Sequence, residues 1–413
     1  MYRRILHCDM NNFFASVELL DRPDLLGKLV AVCGNPKERH GIILAKSPEA
    51  KALGVKTGET IQQAEAKCNG NLYLLAAHYD KYLKYSNLAK QIYLSYTDQV
   101  ESFGLDECWL DITHSEKLFG SPEQIAREII MRIKQELGLT ISVGYSYNKI
   151  FAKLASDLAD NASLLTISPL HYREQVWPLD IANLLGVGRH TRKLLAKYEI
   201  NTIGDYAKAD AKFLESLLGI NGLKLWYFAN GRDMSQVHSY AQAIPIKSIG
   251  NGMTCVRDIV HLTELEAVLL NLAEQVQARL AKHDYLARVL QLNVRYQDFN
   301  HKQIQVPLAY PAASARYFVD NILPLVYKCD LLFAPIRALS LRASNLTTRQ
   351  AQQIDWSDDY VRFERNRRLD LTLQEIRSTY GQSAANYAVQ VKYNDLFPKM
   401  KENSVTSSFT YVD

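Results

Sequence analysis

The sequence predicts a mixed α/β (α+β) chain built in several parts, and three observations predict it. From residue 3 to about 165, short apolar runs of strand period alternate with segments of helical period, the pattern of a sheet with helices packed on it. From 180 to 233, two glycine turns, L-L-G-V-G-R-H and L-L-G-I-N-G-L, each lie between helical segments. From 241 to 345 the order of periods is β-α-β-β-α-β, a split βαβ sheet with helices on one face and an open face opposite. At 413 residues the chain exceeds what one hydrophobic core fills, so roughly two to four domains are expected.

Residues 3 to 9 read as a buried strand that delivers Asp9 to the start of a helix, Asn12 to Leu20, whose Phe13, Val17 and Leu20 share a face. Backbone N–H groups at such a helix start favour a phosphate. Residues 23 to 70 alternate short apolar runs with basic, glycine-marked turns. Lys46, Lys51, Lys56 and Lys67 make this insertion a lysine-rich lid suited to a triphosphate, or else a small helical subdomain with solvated lysines. A helix from Tyr79 to Tyr96 precedes G-L-D-E-C-W-L-D-I, Gly104 to Ile112. There Cys108, Leu110 and Ile112 alternate as in a strand, and the adjacent acids Asp106 and Glu107 interrupt the pattern. A helix from about Pro122 to Leu137, a strand from Thr140 to Tyr145 and a helix N-K-I-F-A-K-L-A-S-D-L-A complete the first part. Lys153 stands one turn before Asp157, a pair that by itself reads as a helix-surface contact.

Side chains on a strand alternate faces, so Asp106 and Glu107 can serve one site only at a turn or a kinked strand end. Neighbouring carboxylates repel, and burying them raises a pKa unless a cation lies between them. With Asp9 at the end of a second strand they form the acid set of a two-metal phosphoryl-transfer site, whose oxygen ligands hold Mg²⁺ ions roughly 3.5 to 4 Å apart. A bare D-E pair reads as a solvated turn; the neighbouring sequence argues against that here.

In the 180 to 233 segment, an apolar-Gly-apolar-Gly turn lets helices approach closely and directs backbone N–H groups toward a phosphate. Gly186, Gly188 and Arg189 in the first turn and Gly219 and Gly222 in the second are therefore the expected DNA-backbone contacts, in the manner of a helix-hairpin-helix module. Beyond Asn345 the chain turns polar, with one helix expected near 360 to 379 and a disordered end.

Composition excludes several classes. No apolar run approaches the ~20 residues of a membrane span, and the first residues lack a signal peptide's apolar core, so a cytoplasmic protein is expected. Six scattered cysteines with no C-x-x-C pair indicate neither a zinc site nor a disulfide framework. The net charge of +4 does not announce nucleic acid, but residues 241 to 345 carry eleven Lys and Arg against eight Asp and Glu.

Taken together, H-C-D-M-N-N-F-F-A-S-V-E, G-L-D-E-C-W-L-D-I and S-V-G-Y-S-Y-N-K-I-F-A-K-L-A-S-D, in that order, resemble the three motifs of Y-family, lesion-bypass DNA polymerases of the bacterial polymerase IV type. The resemblance implies a right hand: a ferredoxin-like palm (1–12 and 71–165), small fingers (13–70), a helix-hairpin-helix thumb (166–233), a linker (234–240), a little finger (241–345) and a tail (346–413). It implies a low-fidelity, template-directed polymerase, a monomer whose partners are primer–template DNA, dNTP and a sliding clamp. Asp9, Asp106 and Glu107, with the Met10 carbonyl, would hold two Mg²⁺ ions; Phe14 would be the steric gate under the incoming sugar; Lys51 and Lys153 would bind the triphosphate. For the clamp the tail offers Gln353 and Trp356 in Q-I-D-W-S, or Leu396 and Phe397 in Y-N-D-L-F.

Two departures accompany the resemblance. Pro48 occupies the place of a tyrosine whose hydroxyl serves the triphosphate, which leaves Ser47 or Lys46 as replacements. Asn12 replaces an aromatic or cysteine, with no consequence legible in the sequence. The alternatives are a non-catalytic DNA-binding or clamp-recruitment protein on the same scaffold, for which three converging acids have no use, and a cyclase-like nucleotidyltransferase, which leaves the paired turns and residues 241 to 345 unexplained.

Overall fold

A computed structural model describes residues 2–34, 41–242, 245–348, 358–381 and 384–397. The chain divides into two compact units, residues 1–34 with 42–243, and residues 35–41 with 244–413.

In the first unit β1 (Ile5–Met10) runs into α1 (Phe13–Leu20). Asn12, between them, adopts φ 50°, a left-handed conformation that asparagine tolerates better than the bulky residues it replaces, which gives this departure a structural reason. A small three-stranded sheet follows, ordered β3-β2-β4 from β2 (Val30–Cys33), β3 (Ile43–Lys46) and β4 (Tyr73–Ala76), with the short helices α2 (Pro48–Ala52) and α3 (Ile61–Lys67). The chain continues through α4 (Tyr79–Leu94), β5 (Val100–Ser102), β6 (Glu107–Asp111), α5 (Glu116–Phe119), α6 (Pro122–Leu137), β7 (Ile141–Ser146), α7 (Lys149–Leu158) and β8 (Leu164–Thr166). These strands join β1 in a five-stranded sheet ordered β5-β6-β1-β7-β8. Setting β8 aside, the first and third strands of the sheet are central and antiparallel to their neighbours, the ferredoxin-like arrangement.

The alternation of β1 sorts its residues between two environments. Leu6, Cys8 and Met10 pack with Cys108 and Leu110 against α4 and α6, through Tyr82, Ile92 and Tyr93 and through Ile125, Ile129 and Ile133. Ile5, His7 and Asp9 face the other way, where α7 crosses the sheet. Gly144 on β7 permits that crossing: a Cβ there would lie 2.0 Å from the Ala152 carbonyl and 2.4 Å from the Ser156 amide. α7 begins on Asn148, whose side chain accepts the Phe151 amide, and α6 on a capping box of Ser121 and Gln124 with Pro122 in its first turn.

The remaining helices of this unit, α8 (Tyr172–Val176), α9 (Arg189–Ala196), α10 (Ile203–Lys208), α11 (Ala211–Leu218) and α12 (Ile220–Ala229), share a core with Ile150, Phe151 and Leu154 of α7. The stretch expected as a linker, 234–240, makes contacts with the sheet. Val237 is buried with Ile5, Trp109 and Ala152, and the Tyr240 amide donates to the Asp98 carbonyl at 3.0 Å.

The second unit realises β-α-β-β-α-β in the expected order: β9 (Ser248–Ile259), α13 (Leu262–Lys282), β10 (Tyr285–Tyr296), β11 (His301–Ala312), α14 (Ala315–Lys328) and β12 (Ile336–Thr348). Its sheet is ordered β11-β10-β12-β9, so here the second and fourth strands are central. The segment expected as a polar tail is folded onto this unit. α15 (Asp358–Tyr380) packs on α14, α16 (Ala388–Lys392) on α13, and a 3-10 turn, Asn394–Leu396, on β9. The end S-V-T-S-S-F-T-Y-V-D, residues 404 to 413, expected to be disordered, lies outside the described residues. Among the described residues no helix is long and apolar enough to cross a membrane.

Candidate active site

Three acids meet at one end of the five-stranded sheet because of register. Asp9, next to last on β1, pairs with Glu107, the first residue of β6, so both side chains leave the sheet on the α7 side. Asp106 sits in the turn before β6, and its carbonyl accepts the Met10 amide at 3.1 Å, which extends the ladder and fixes the turn beside Asp9. The adjacent acids thus lie together at a turn before a strand end. Met10 buries its side chain in the core, so only its main chain faces the acids' end of the strand.

Among the described residues α7 brings the ammonium. Lys153 Nζ lies 2.7 Å from Glu107 Oε2, 3.7 Å from Asp9 Oδ2 and 2.8 Å from Asp157 Oδ1. The i, i+4 pair with Asp157 is real but is only part of its environment. One cation among four carboxylates leaves the cluster short of positive charge. Burial first, then the Glu107 charge, pushes Asp9 up to about 7; burial and Glu107 push Asp106 up to about 6. Glu107 goes the other way: burial would raise it, but His7 and Lys153 outweigh burial and hold it below the ordinary range.

Ionisation of two of the three acids is therefore made costlier, by burial first and the Glu107 charge second, and a carboxylate set so placed fits a divalent cation. Among the described residues no three carboxylate, imidazole or thiol groups are already gathered at coordination distance; the acids are spread around Lys153. The fit rests on charge: four carboxylates share the Lys153 ammonium, and Asp9 and Asp106 have raised pKa values for want of more.

Phe14, on the first turn of α1, is half-buried. Its ring stacks on Tyr82 at 4.1 Å and 8° and meets Tyr79 edge-on at 5.8 Å. The Tyr82 hydroxyl donates to the buried Glu18 carboxylate at 2.5 Å, so the platform under Phe14 is itself anchored. Neither Tyr79 nor Tyr82 stood out in the sequence, where both read as helix residues.

The two candidates for the missing tyrosine separate cleanly. Ser47 is buried and committed: its hydroxyl caps α2 by accepting the Ala50 amide, accepts the Val30 amide at 3.1 Å and donates to the Lys28 carbonyl at 2.9 Å. Lys46 is half-exposed, donates to Thr57 Oγ1 at 2.9 Å, and has its pKa lowered by burial and by Lys51. Lys51 is exposed on α2, and Pro48 supplies the first helical residue, where a missing N–H costs nothing.

The glycine turns differ from one another. Gly186 (φ 99°), Gly188 and Arg189 form an exposed turn and helix start with Val187 buried beneath, preceded by a 3-10 turn, Ile181–Asn183, rather than a full helix. Gly219 (φ 66°) joins α11 to α12 and is exposed. Gly222 is buried, and a Cβ there would stand 2.1 Å from the Leu214 carbonyl, so it serves helix packing and does not present an amide to DNA. Of the tail residues, Gln353 and Trp356 lie outside the described residues. Leu396 is fully buried in the core of the second unit with Phe397 packed beside it, and a side chain so placed is not offered to a partner.

The model of the impB/mucB/samB family matches residues 8–157, and that of the family's C-terminal domain matches residues 246–356. DNA polymerase IV of Acetivibrio thermocellus is 41% identical over 382 residues, spanning 92% of this chain and 96% of that protein. DNA polymerase IV of Pelotomaculum thermopropionicum is 34% identical over 94% of this chain and 95% of its own length. Among solved structures, a Y-family DNA polymerase chimera, Dbh-Dpo4(243-245)-Dbh, aligns with a TM-score of 0.72 at 21% identity, over 84% of this chain and all of that one, a likeness of fold. With both family models matched and relatives similar nearly from end to end, the chain belongs to the Y family of lesion-bypass DNA polymerases, of the bacterial polymerase IV type.

Proposed function

We propose that the chain extends a primer 3′-hydroxyl with dNTPs on a DNA template, with low fidelity, through the acids Asp9, Asp106 and Glu107. The observation that carries this reading is the register that sets Asp9 opposite Glu107 with Asp106 in the adjoining turn, three acids short of positive charge at one sheet end. A solvated turn or a DNA-binding scaffold has no reason to bury such a set. Two Mg²⁺ ions held by these carboxylates and the Met10 carbonyl would make the primer hydroxyl a nucleophile and offset the charge of the leaving pyrophosphate.

The chain's own groups do the rest. Lys153, released in part from Glu107, and Lys51 on α2 meet the triphosphate, and Lys46 supplies the donor that Pro48 lacks. Phe14, braced by Tyr82, occupies the space a 2′-hydroxyl would need. The first unit contains the palm, fingers and thumb. Its fingers, two short strands with α2 and α3, helices of five and seven residues, offer little surface against a nascent base pair, consistent with tolerance of damaged templates. DNA is gripped by its phosphates at Gly186, Gly188, Arg189 and Gly219, and by the open face of the second unit's sheet. There Gln291 pairs with Arg342 and Gln305, Asn293 with Ser340 and Gln303, and Arg295 with His301, a run of polar pairs. The clamp contact is assigned to Gln353 and Trp356. The enzyme is taken to act as a cytoplasmic monomer.

Primer extension tests the reading. The purified chain with Mg²⁺ should add dNTPs to undamaged and abasic templates and largely refuse ribonucleotides, and Phe14→Ala should admit them. No extension on either template would sink the proposal, and unchanged sugar choice in the variant would return Phe14 to a packing role. Lys46→Ala should raise the KM for dNTP about tenfold, the worth of one charge-assisted hydrogen bond, with a smaller change in kcat. Pro48→Tyr in that background should recover most of the loss; an unchanged KM in Lys46→Ala would remove Lys46 from the triphosphate.

A further inference from the structure

His7 is fully buried two residues before Asp9, on the same face of β1, and phosphoryl transfer assigns it no task. Its Nε2 lies 3.3 Å from Glu107 Oε2, its Nδ1 lies 2.7 Å from Ser156 Oγ on α7, and its ring meets Trp109 edge-on with centroids 5.1 Å apart. An imidazole held on three sides has its orientation fixed, and the direction of its protons follows from the neighbours. Ser156 Oγ is also 2.8 Å from the Lys153 carbonyl, which within α7 already accepts the amide four residues on. If the hydroxyl gave its proton to that carbonyl, Nδ1 would have to carry hydrogen and the Nε2 lone pair of a neutral ring would face a carboxylate. If it gives the proton to Nδ1, Nε2–H points at Glu107. The second arrangement gives up the Ser156 donation to a neutral carbonyl that its helix already satisfies, a smaller cost than setting a lone pair against a buried carboxylate.

We propose that His7 is a positioning residue for Glu107. Nε2–H turns to the buried oxygen Oε2, 3.3 Å away, which leaves Oε1 as the oxygen Glu107 gives to a divalent cation. The inference rests on the reading that the three acids bind metal. Carboxylate ligands are commonly held from behind in this way, and loss of such a partner typically weakens metal binding or activity by roughly 10- to 100-fold. The sequence carried a signal for it: a residue two before a catalytic acid on a strand shares that acid's face.

The test measures Mn²⁺ affinity by electron paramagnetic resonance on the full chain, bound to a dideoxy-terminated primer–template and dNTP so that no turnover occurs. His7→Asn and His7→Gln are compared, with melting temperatures recorded in EDTA. Glutamine places an N–H donor where Nε2 stood, whereas asparagine reaches only toward Ser156. His7→Asn is therefore expected to raise the Mn²⁺ Kd by at least about tenfold and His7→Gln to stay within about threefold of wild type. Ser156→Ala, a small change that frees the ring to carry its proton on Nδ1, should also raise the Kd even if a His7 variant folds poorly. Equal Mn²⁺ affinities for the two amides, or an unchanged Kd in Ser156→Ala, would overturn the role of His7. Failure of the wild-type complex to bind Mn²⁺ at all would instead overturn the metal reading of the acids.

Discussion

Asp106→Ala is expected to cut primer extension by roughly a thousandfold or more while the fold becomes more stable in metal-free buffer at pH 8. On the proposed reading the loss follows from removing a ligand of cations that would offset several kcal/mol of developing charge, at about tenfold in rate for each 1.36 kcal/mol. Asp106 is the cleaner choice than Glu107, which also holds Lys153 and His7. Its structural contribution, the carbonyl that accepts the Met10 amide, belongs to the main chain and survives the substitution. The gain in stability has a definite sign. Burial and the Glu107 charge raise the Asp106 pKa to about 6, above the 3.8 of an unfolded chain, so ionisation favours the unfolded state. That penalty is absent below about pH 4 and complete above about pH 6. In EDTA the variant should melt higher than wild type at pH 8 and equally at pH 4, and primer–template affinity should be preserved. Near-normal extension would remove Asp106 from the site; a lower melting temperature at pH 8 would mean that the acid is structural.

How far the sequence reveals this site depends on which interactions are local. β1, the turn at Asp106 and the strand after it are legible because period two is a property of a few neighbouring residues, and pairing of two such strands brings their end acids together. Lys153 is not legible in the same way. Its local partner Asp157 is visible at i, i+4, but its contacts with Asp9 and Glu107 depend on α7 crossing β1, and that crossing depends on Gly144, a strand glycine with no periodic signal. Ser47 is similar: the sequence offers a free hydroxyl, and only the meeting of β2 with the start of α2 shows it to be fully used. The tail is hidden for a further reason. Its buried residues, Phe363 and Asp370 on α15 and Leu396 in the last 3-10 turn, are few and set among polar neighbours, and the elements touch different parts of the second unit, so no window shows an apolar face. Leu396 and Phe397 therefore look like a free motif although the fold has already claimed them.

The same observation changes what truncation should do. From the sequence, ending the chain after Asn345 should leave nucleotide insertion intact and remove only tethering to a clamp. In the structure β12 continues to Thr348, pairing Leu346, Thr347 and Thr348 with Ala287, Leu286 and Tyr285. Beyond it, residues 358–397 bury Phe363 against Tyr310 and Tyr317, at 5.4 and 5.0 Å between centroids, and Leu396 in the core. They also add polar anchors. Asp370 accepts from Ser314, which caps α14; Arg377 pairs with Glu274 at 2.8 Å; and Arg257 pairs with Asp395 at 2.7 Å. Two large apolar side chains are worth roughly 1.5 to 3 kcal/mol each, a large share of a domain's 5 to 15 kcal/mol. Truncation after Thr348 is expected to lower the melting temperature of the second unit by about 10 °C or more, and insertion activity should fall with it as the assay is warmed. Leu396→Ala should reproduce much of this, at about 2 to 5 kcal/mol, whereas Tyr380→Ala, on an exposed position of α15, should be nearly silent. Calorimetry of the three proteins decides: a truncated chain that melts within about 2 °C of the full one would mean that the segment lies on the second unit without stabilising it, and would restore the tail to the role of a tether.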